Sequence, residues 1–219
     1  MNNSWTFEDQ TIVDKFDFHV REQLPWYDMV TDAVVYIIRN YLAHRKMVVD
    51  IGASTGNLME KLVPLLNERF STGVAIDCSE SMCVYMDEKF KKESIVEVDY
   101  CDVSKQDVPN AQIYILFLTL MFIPIADRKN LMSRLINQCE IGGCIIVVDK
   151  VADHSGYFGT VLKRLTMHFK LLQGAKPEDV LAKEMCLAGV QIPIDHEILG
   201  NKAKLFFRMG EFAGWVIEK

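Results

Sequence analysis

Met47-Val48-Val49-Asp50-Ile51-Gly52-Ala53-Ser54-Thr55-Gly56-Asn57 decides how the rest of the chain is read. Its first five residues have the apolar, β-branched make-up of a buried strand. From Asn57 to Phe70, Leu58, Leu62, Leu65 and Leu66 recur near the 3.6-residue period of a helix. Between the two, Gly52 and Gly56 leave bare backbone at the carboxyl end of the strand, where open parallel sheets bind ligands.

The same alternation continues. Gly73-Val74-Ala75-Ile76-Asp77 and Ile95-Val96-Glu97-Val98-Asp99 read as strands, and Ser81 to Lys92 as a helix carrying Met82, Val84, Tyr85 and Phe90. Gln112 to Leu118 and Gly143 to Val148 are apolar on both faces, with an amphipathic helix, Arg128 to Gln138, between them. Such runs belong in the middle of a parallel sheet covered by helices. Ala203 to Met209 and Ala213 to Glu218, joined near Gly210, read as a hairpin that ends the sheet antiparallel. Residues 153–201 are helical in pattern, with Tyr157 to Leu172, a stop at Gly174 and a restart from Pro177 through Leu187. The expectation is one domain over residues 1–219, with N-terminal helices in 1–45 and a helical insertion in 153–201.

Bulk properties narrow the class. Half of the 219 residues are hydrophobic, enough for one good core. The longest apolar stretch, Ile113 to Ile123, is too short to span a membrane. MNNSWTFEDQ has neither a basic nor an apolar leader segment, so a cytoplasmic setting is expected. Cys78, Cys83, Cys101, Cys139, Cys144 and Cys186 form no CxxC and read as reduced thiols; with His19, His44, His154, His168 and His196 they offer no metal-ligand spacing, and no metal is expected. A net charge of −6 argues against binding driven by many phosphate contacts. Lys89-Lys91-Lys92 and Lys163-Arg164-Lys170 read as solvated helix faces.

The glycine turn lacks the third glycine of G-x-G-x-x-G, which a pyrophosphate would require. Asp77, ending the second strand, can still accept two hydrogen bonds from a ribose cis-diol. A ribose without a pyrophosphate points to S-adenosylmethionine (SAM).

At these stations the chain resembles class I SAM-dependent methyltransferases, from about Phe16 onward. D-I-G-A-S-T-G is similar to the family's first motif, A-I-D-C-S to its ribose-binding acid, Y-C-D-V to the acid that meets the adenine amino group, and E-I-G-G-C-I-I-V-V-D to the turn into strand five. The resemblance implies a Rossmann-like class I methyltransferase fold of α/β type, with a seven-stranded, mostly parallel sheet, an antiparallel C-terminal strand and a helical insertion. It implies cofactor contacts at Tyr27, Asp50, Gly52, Ala53, Ser54, Gly56, Asp77, Cys78, Asp102, Val103 and Phe117.

Within that superfamily the chain is most similar to the carboxy-SAM synthase branch. The likeness rests on Phe16-Asp17 with Val20, Pro25-Trp26-Tyr27, Phe117 to Ile123, Asp149-Lys150-Val151, Phe169-Lys170, Gly174 and Lys183 to Leu187. It implies that Tyr27 lies near the methionine end of SAM and that the insertion roofs the site. Two positions depart: the family's Asn at the end of strand four is Phe117, and the Arg that grips the transferred carboxylate falls on Glu184. A Glu cannot replace an Arg fork. Ordinary SAM and a different acceptor, a small molecule or a nucleobase, are therefore expected.

A sulfonium methyl is already electrophilic, so placement and water exclusion matter most, with a base assisting an amine or hydroxyl acceptor. Candidates are Tyr27, Asp149, His154, His168 and Glu184. Each also has a structural reading: Asp149-Lys150 as the polar exit of a strand, His154 in a loop, His168 on a packed or solvated helix face, Glu184 on a solvated face or facing a cationic acceptor, and Trp26 and Tyr27 stapling the N-terminal helix. Three functions remain open: methyl transfer, carboxy-SAM synthesis from SAM and prephenate for tRNA wobble uridine modification, and non-catalytic SAM binding. Neither a D/N-P-P-Y/F segment nor a Pro-Cys nucleophile occurs, which leaves nucleic acid as a substrate unsupported. The apolar content of the N-terminal and roof helices makes a homodimer an expectation.

Overall fold

The computed structural model describes residue 13 and residues 16–152 and 155–219. In chain order the elements are α1 (Phe16–Gln23), α2 (Tyr27–Tyr41), β1 (Met47–Ile51), α3 (Asn57–Arg69), β2 (Thr72–Asp77), α4 (Glu80–Phe90), β3 (Val96–Tyr100) and β4 (Ile113–Phe117). They continue with α5 (Ile125–Gln138), β5 (Cys144–Lys150), α6 (Tyr157–Leu172), α7 (Pro177–Cys186), β6 (Lys204–Met209) and β7 (Phe212–Glu218). Short 3-10 turns cover Leu120–Phe122 and His196–Leu199.

Seven strands form one sheet in the order β3-β2-β1-β4-β5-β7-β6. The first five run parallel, and β7 lies antiparallel between β5 and β6. Strand order reverses between β1 and β4, the point at which a crevice opens at the carboxyl edge of such a sheet. The elements match the sequence expectation, with ends displaced by a few residues; α5 begins at Ile125, directly after Pro124, and α7 ends at Cys186.

Side-chain alternation divides the core into two layers. Val48, Ile113, Ile115, Ile146 and Val148 face α2, α3 and α4. Val49, Ile51, Tyr114, Leu116, Ile145 and Val147 face α5. Three charged residues follow this parity into different surroundings: Asp50 and Lys150 emerge on the first face and Asp149 on the second. No helix among the described residues is long and apolar enough to cross a membrane.

Candidate functional site

A cavity of about 250 Å³ opens at the carboxyl ends of β1, β2 and β4. Its floor includes Asp50, Gly52, Ala53, Ser54, Asp77 and Cys78. A smaller pocket of about 50 Å³ shares Gly52, Asp77, Cys78, Thr119 and Ile123 with it and is lined beyond them by Cys101, Asp102 and Val103.

The turn that carries the floor runs through left-handed backbone. Gly52 and Gly56 both sit at φ +72°, and Ser54 at φ +55° in the left-handed region, where a side chain costs energy. Ser54 is held there because its N–H donates to Asp77 Oδ2 at 2.8 Å, while Ser79 N–H donates to Asp77 Oδ1 at 3.0 Å. Asp77 thereby organises both turns that border the cavity. The N–H groups of Gly52 and Ala53 donate to Ile76 O at 2.8 and 2.9 Å. Gly52 thus serves by its missing side chain, since a Cβ there would lie 2.6 Å from Thr119 Cγ2 and Oγ1.

Asp50 is 2% exposed. Burial, reinforced by the nearby Asp77 charge, pushes its pKa up to about 7. No donor among the described residues hydrogen-bonds its carboxylate. A buried acid in that state is relieved by a cation, and SAM brings both an ammonium and a sulfonium. Asp102 differs: Lys105 and Ser104 engage its carboxylate and lower its pKa.

α1 closes one side. Phe16, His19, Val20 and Gln23, at helical spacing, all line the cavity, as does Tyr27 from the start of α2. Tyr27 is 6% exposed, and burial raises its phenol to about 12 despite a hydrogen bond with Asn57. Its ring meets Phe117 edge-on at 5.5 Å. Trp26 instead packs against Phe207 and Phe212 at 5.0 and 5.2 Å and staples α2 to the hairpin.

The roof comes from α6, α7 and the end of β5. Thr166, Lys170, Lys183, Glu184, Leu187, Gln191 and Lys150 line it. Lys170 Nζ donates to Glu184 Oε1 at 3.1 Å, and Lys150 Nζ lies 3.9 Å from both Glu184 and Glu211. Burial opposes ionisation of Glu184, but Lys150 and Lys170 outweigh it and lower its pKa. Lys183 Nζ sits 2.6 Å from His19 Nε2. Burial and the Lys170 charge bring Lys183 down to about 8, and burial with Lys183 and Lys170 brings His19 down to about 4.

Several sequence expectations are corrected by this placement. Gly56 does not reach the cavity wall; a Cβ there would lie 2.5 Å from Phe90 Cε2, so its glycine is required by helix packing. Asp149 is fully buried on the opposite side of the sheet from the cavity, and its Oδ1 accepts from Lys150 N at 2.8 Å. Its Oδ2 accepts from Met121 N at 3.4 Å, which pins the 3-10 turn after β4. His168 is exposed on α6. His154 lies outside the described residues. Lys170, read as part of a solvated face, is buried in the roof, and Glu184 meets lysines there rather than open solvent. The sequence reading missed His19 and Lys183 as cavity residues. The stripe Phe16, His19, Val20, Gln23 was the signal for the first, and the i, i+4 pair Lys183 and Leu187 for the second.

This sheet order, with a cavity at the reversal of strand order and an antiparallel hairpin at the end, is the class I SAM-dependent methyltransferase fold. Human N-acetylserotonin methyltransferase in complex with SAM superposes with a TM-score of 0.63 at 15% identity, over 97% of this chain and 57% of that one. The chain thus spans little more than half of the human enzyme. A SAM-dependent methyltransferase of Aquifex aeolicus superposes with a TM-score of 0.54 at 16% identity, over 95% and 98% of the two chains. No family model matches the chain. In sequence it is 28% identical over 195 residues to the carboxy-S-adenosyl-L-methionine synthase of Staphylococcus epidermidis, covering 87% of this chain and 82% of the relative. The likeness to that branch of the superfamily, read above from short motifs, therefore extends along most of both chains.

Proposed function

We propose that the chain binds SAM and transfers its methyl group to a small-molecule or nucleobase acceptor held between the Asp50 turn and the lysine-bearing roof. The observation that carries this reading is Asp50, a buried carboxylate at the switch point of the sheet whose charge lacks a partner among the described residues. Asp50 would hold the cationic methionine end and Asp77 the ribose hydroxyls, with the pocket beside Asp102 and Val103 taking the adenine. Bound SAM supplies an electrophilic methyl group. The chain supplies position and dryness: Tyr27, Phe117 and Phe122 form an aromatic wall, and α1 and α7 screen the chamber from bulk water. The cavity also carries Gln23, whose Oε1 is buried without a hydrogen-bond partner among the described residues and is free to orient a ligand. Calorimetry with SAM and with S-adenosylhomocysteine, followed by mass spectrometry of small-molecule and nucleobase pools incubated with methyl-labelled SAM, tests the reading. Saturable binding and a labelled product are expected; no binding heat overturns it.

A second reading is carboxy-SAM synthesis from SAM and prephenate. The named relatives support it, and so does the roof, where Lys150 and Lys170 offset the Glu184 charge that would otherwise repel a carboxylate. Mass spectrometry after incubation with SAM and prephenate separates the two: a carboxylated sulfonium favours synthesis, and its absence leaves methyl transfer.

A further inference from the structure

Among the described residues the roof holds three lysines, and they are not equivalent. Lys170 is paired with Glu184 at 3.1 Å, and Lys150 lies between Glu184 and Glu211 at 3.9 Å from each. Both thus have carboxylates within ion-pair reach. Lys183, on α7, faces His19 from α1 and Lys170 from α6, with Glu184 beside it on its own helix and Lys150 and Glu211 further along the roof. Burial and Lys170 oppose its charge, Glu184 favours it, and the balance brings it to about 8. His19, held neutral by burial and by the two lysines, pairs through Nε2 with the Lys183 amine and so aims it.

We propose that Lys183 is the base of the transfer chamber: it gives up its proton as the cationic cofactor enters and then takes the proton that the acceptor loses on methylation. The inference rests on the SAM reading above. SAM carries a net positive charge into a cavity that Lys183 lines, and a like charge disfavours the ammonium. In the transfer the acceptor's lone pair bonds to the methyl carbon, the carbon–sulfur electron pair remains on sulfur as the thioether, and the acceptor proton passes to Lys183 Nζ. The other candidates serve less well. Tyr27 is a phenol raised to about 12, Asp50 and Asp77 belong to the cofactor floor, and Glu184 is weakened as a base by its lysines. His19 is a positioning residue.

The test needs no acceptor. SAM binding is measured by calorimetry at pH 8 in two buffers of different ionisation enthalpy, which counts the protons released. An amine titrating near 8 is half protonated there, so the wild type should release up to about half a proton more than Lys183→Met or Lys183→Arg, since arginine stays charged. Asp50 also sheds any remaining proton as the cation arrives, but equally in all three proteins, so the difference isolates Lys183. Lys183→Arg keeps charge and length should Lys183→Met fold poorly. S-adenosylhomocysteine, which lacks the sulfonium, should release fewer protons from the wild type. Equal proton counts in wild type and variants overturn the proposal. No binding heat in the wild type overturns the cofactor reading instead.

Discussion

Asn57 Nδ2 donates to Asp17 Oδ1 at 2.7 Å, joining the first turn of α3 to the first turn of α1 across the glycine turn. Thr55 Oγ1 donates to the same oxygen, and Lys89 Nζ reaches Thr55 O at 3.1 Å behind it. One carboxylate thus holds α1 over the cavity. Asp17→Ala leaves two buried donors without their acceptor, at a cost of about 1–3 kcal/mol to helix docking. The expected outcome is faster hydrogen exchange across residues 16–23 and roughly tenfold weaker S-adenosylhomocysteine binding. Asp17→Asn, which keeps one acceptor oxygen, should fall between. Unchanged exchange in Asp17→Ala would show that the apolar contacts of Phe16 and Val20 suffice.

Asp77 both braces the turns and lines the cavity. Removing it strips Ser54 of the bond that holds its left-handed backbone and, under the proposed SAM reading, takes away the acceptors for the ribose. Charge-assisted hydrogen bonds contribute about 1.5–3 kcal/mol each. Asp77→Ala should weaken SAM binding by at least about 10–100-fold in calorimetry. Unaltered affinity would refute the ribose assignment.

The sheet and its glycine turn were legible because strands buried on both faces leave continuous apolar runs, and a helix after a bare turn is unambiguous at the 3.6 period. Strand parity could have done more. Asp50 shares a face with Val148 and hence with Lys150, so the residue to expect in the chamber was Lys150 and not its neighbour Asp149. The roof was not legible in the same way. Whether a Lys or Glu on an amphipathic helix turns inward depends on how α6 and α7 dock over the sheet, and the charges of Lys170 and Glu184 offset one another only when both helices are in place. A single Glu read alone therefore suggested a negative chamber, where the folded roof is lysine-rich.

Asp50 ties stability to pH. Its folded pKa, about 7, lies above the ordinary 3.8, so between these values the folded state keeps a proton that the unfolded chain has lost. Stability of the ligand-free protein must then fall as pH rises through that window, by up to about 4 kcal/mol from this group. Asp149, also raised to about 7 by burial, adds a loss of the same sign. Thermal melts at pH 5 and pH 8 should show Asp50→Asn with a smaller pH-dependent loss than the wild type, higher stability at pH 8, and little further gain from SAM. A wild-type slope retained in Asp50→Asn would place the penalty elsewhere.

Gly56 and Gly52 share a φ of +72° and should fail for different reasons. An alanine Cβ at Gly52 meets Thr119 on the cavity floor, so Gly52→Ala should impair ligand binding together with stability. At Gly56 the Cβ meets the Phe90 ring at the end of α4, away from the cavity. Gly56→Ala should cost about 1–2 kcal/mol for the left-handed backbone and about 1–3 kcal/mol for overpacking. Phe90→Leu makes room, so the double variant should recover about 1–2 kcal/mol relative to the sum of the single changes while the backbone cost persists. Urea unfolding of the four proteins measures that coupling, and calorimetry on the folded Gly56→Ala variant should find S-adenosylhomocysteine affinity within about twofold of wild type, a difference of only about 0.4 kcal/mol. Additive losses would show that the Phe90 ring does not set the requirement for glycine. A large loss of affinity would return Gly56 to the cofactor site.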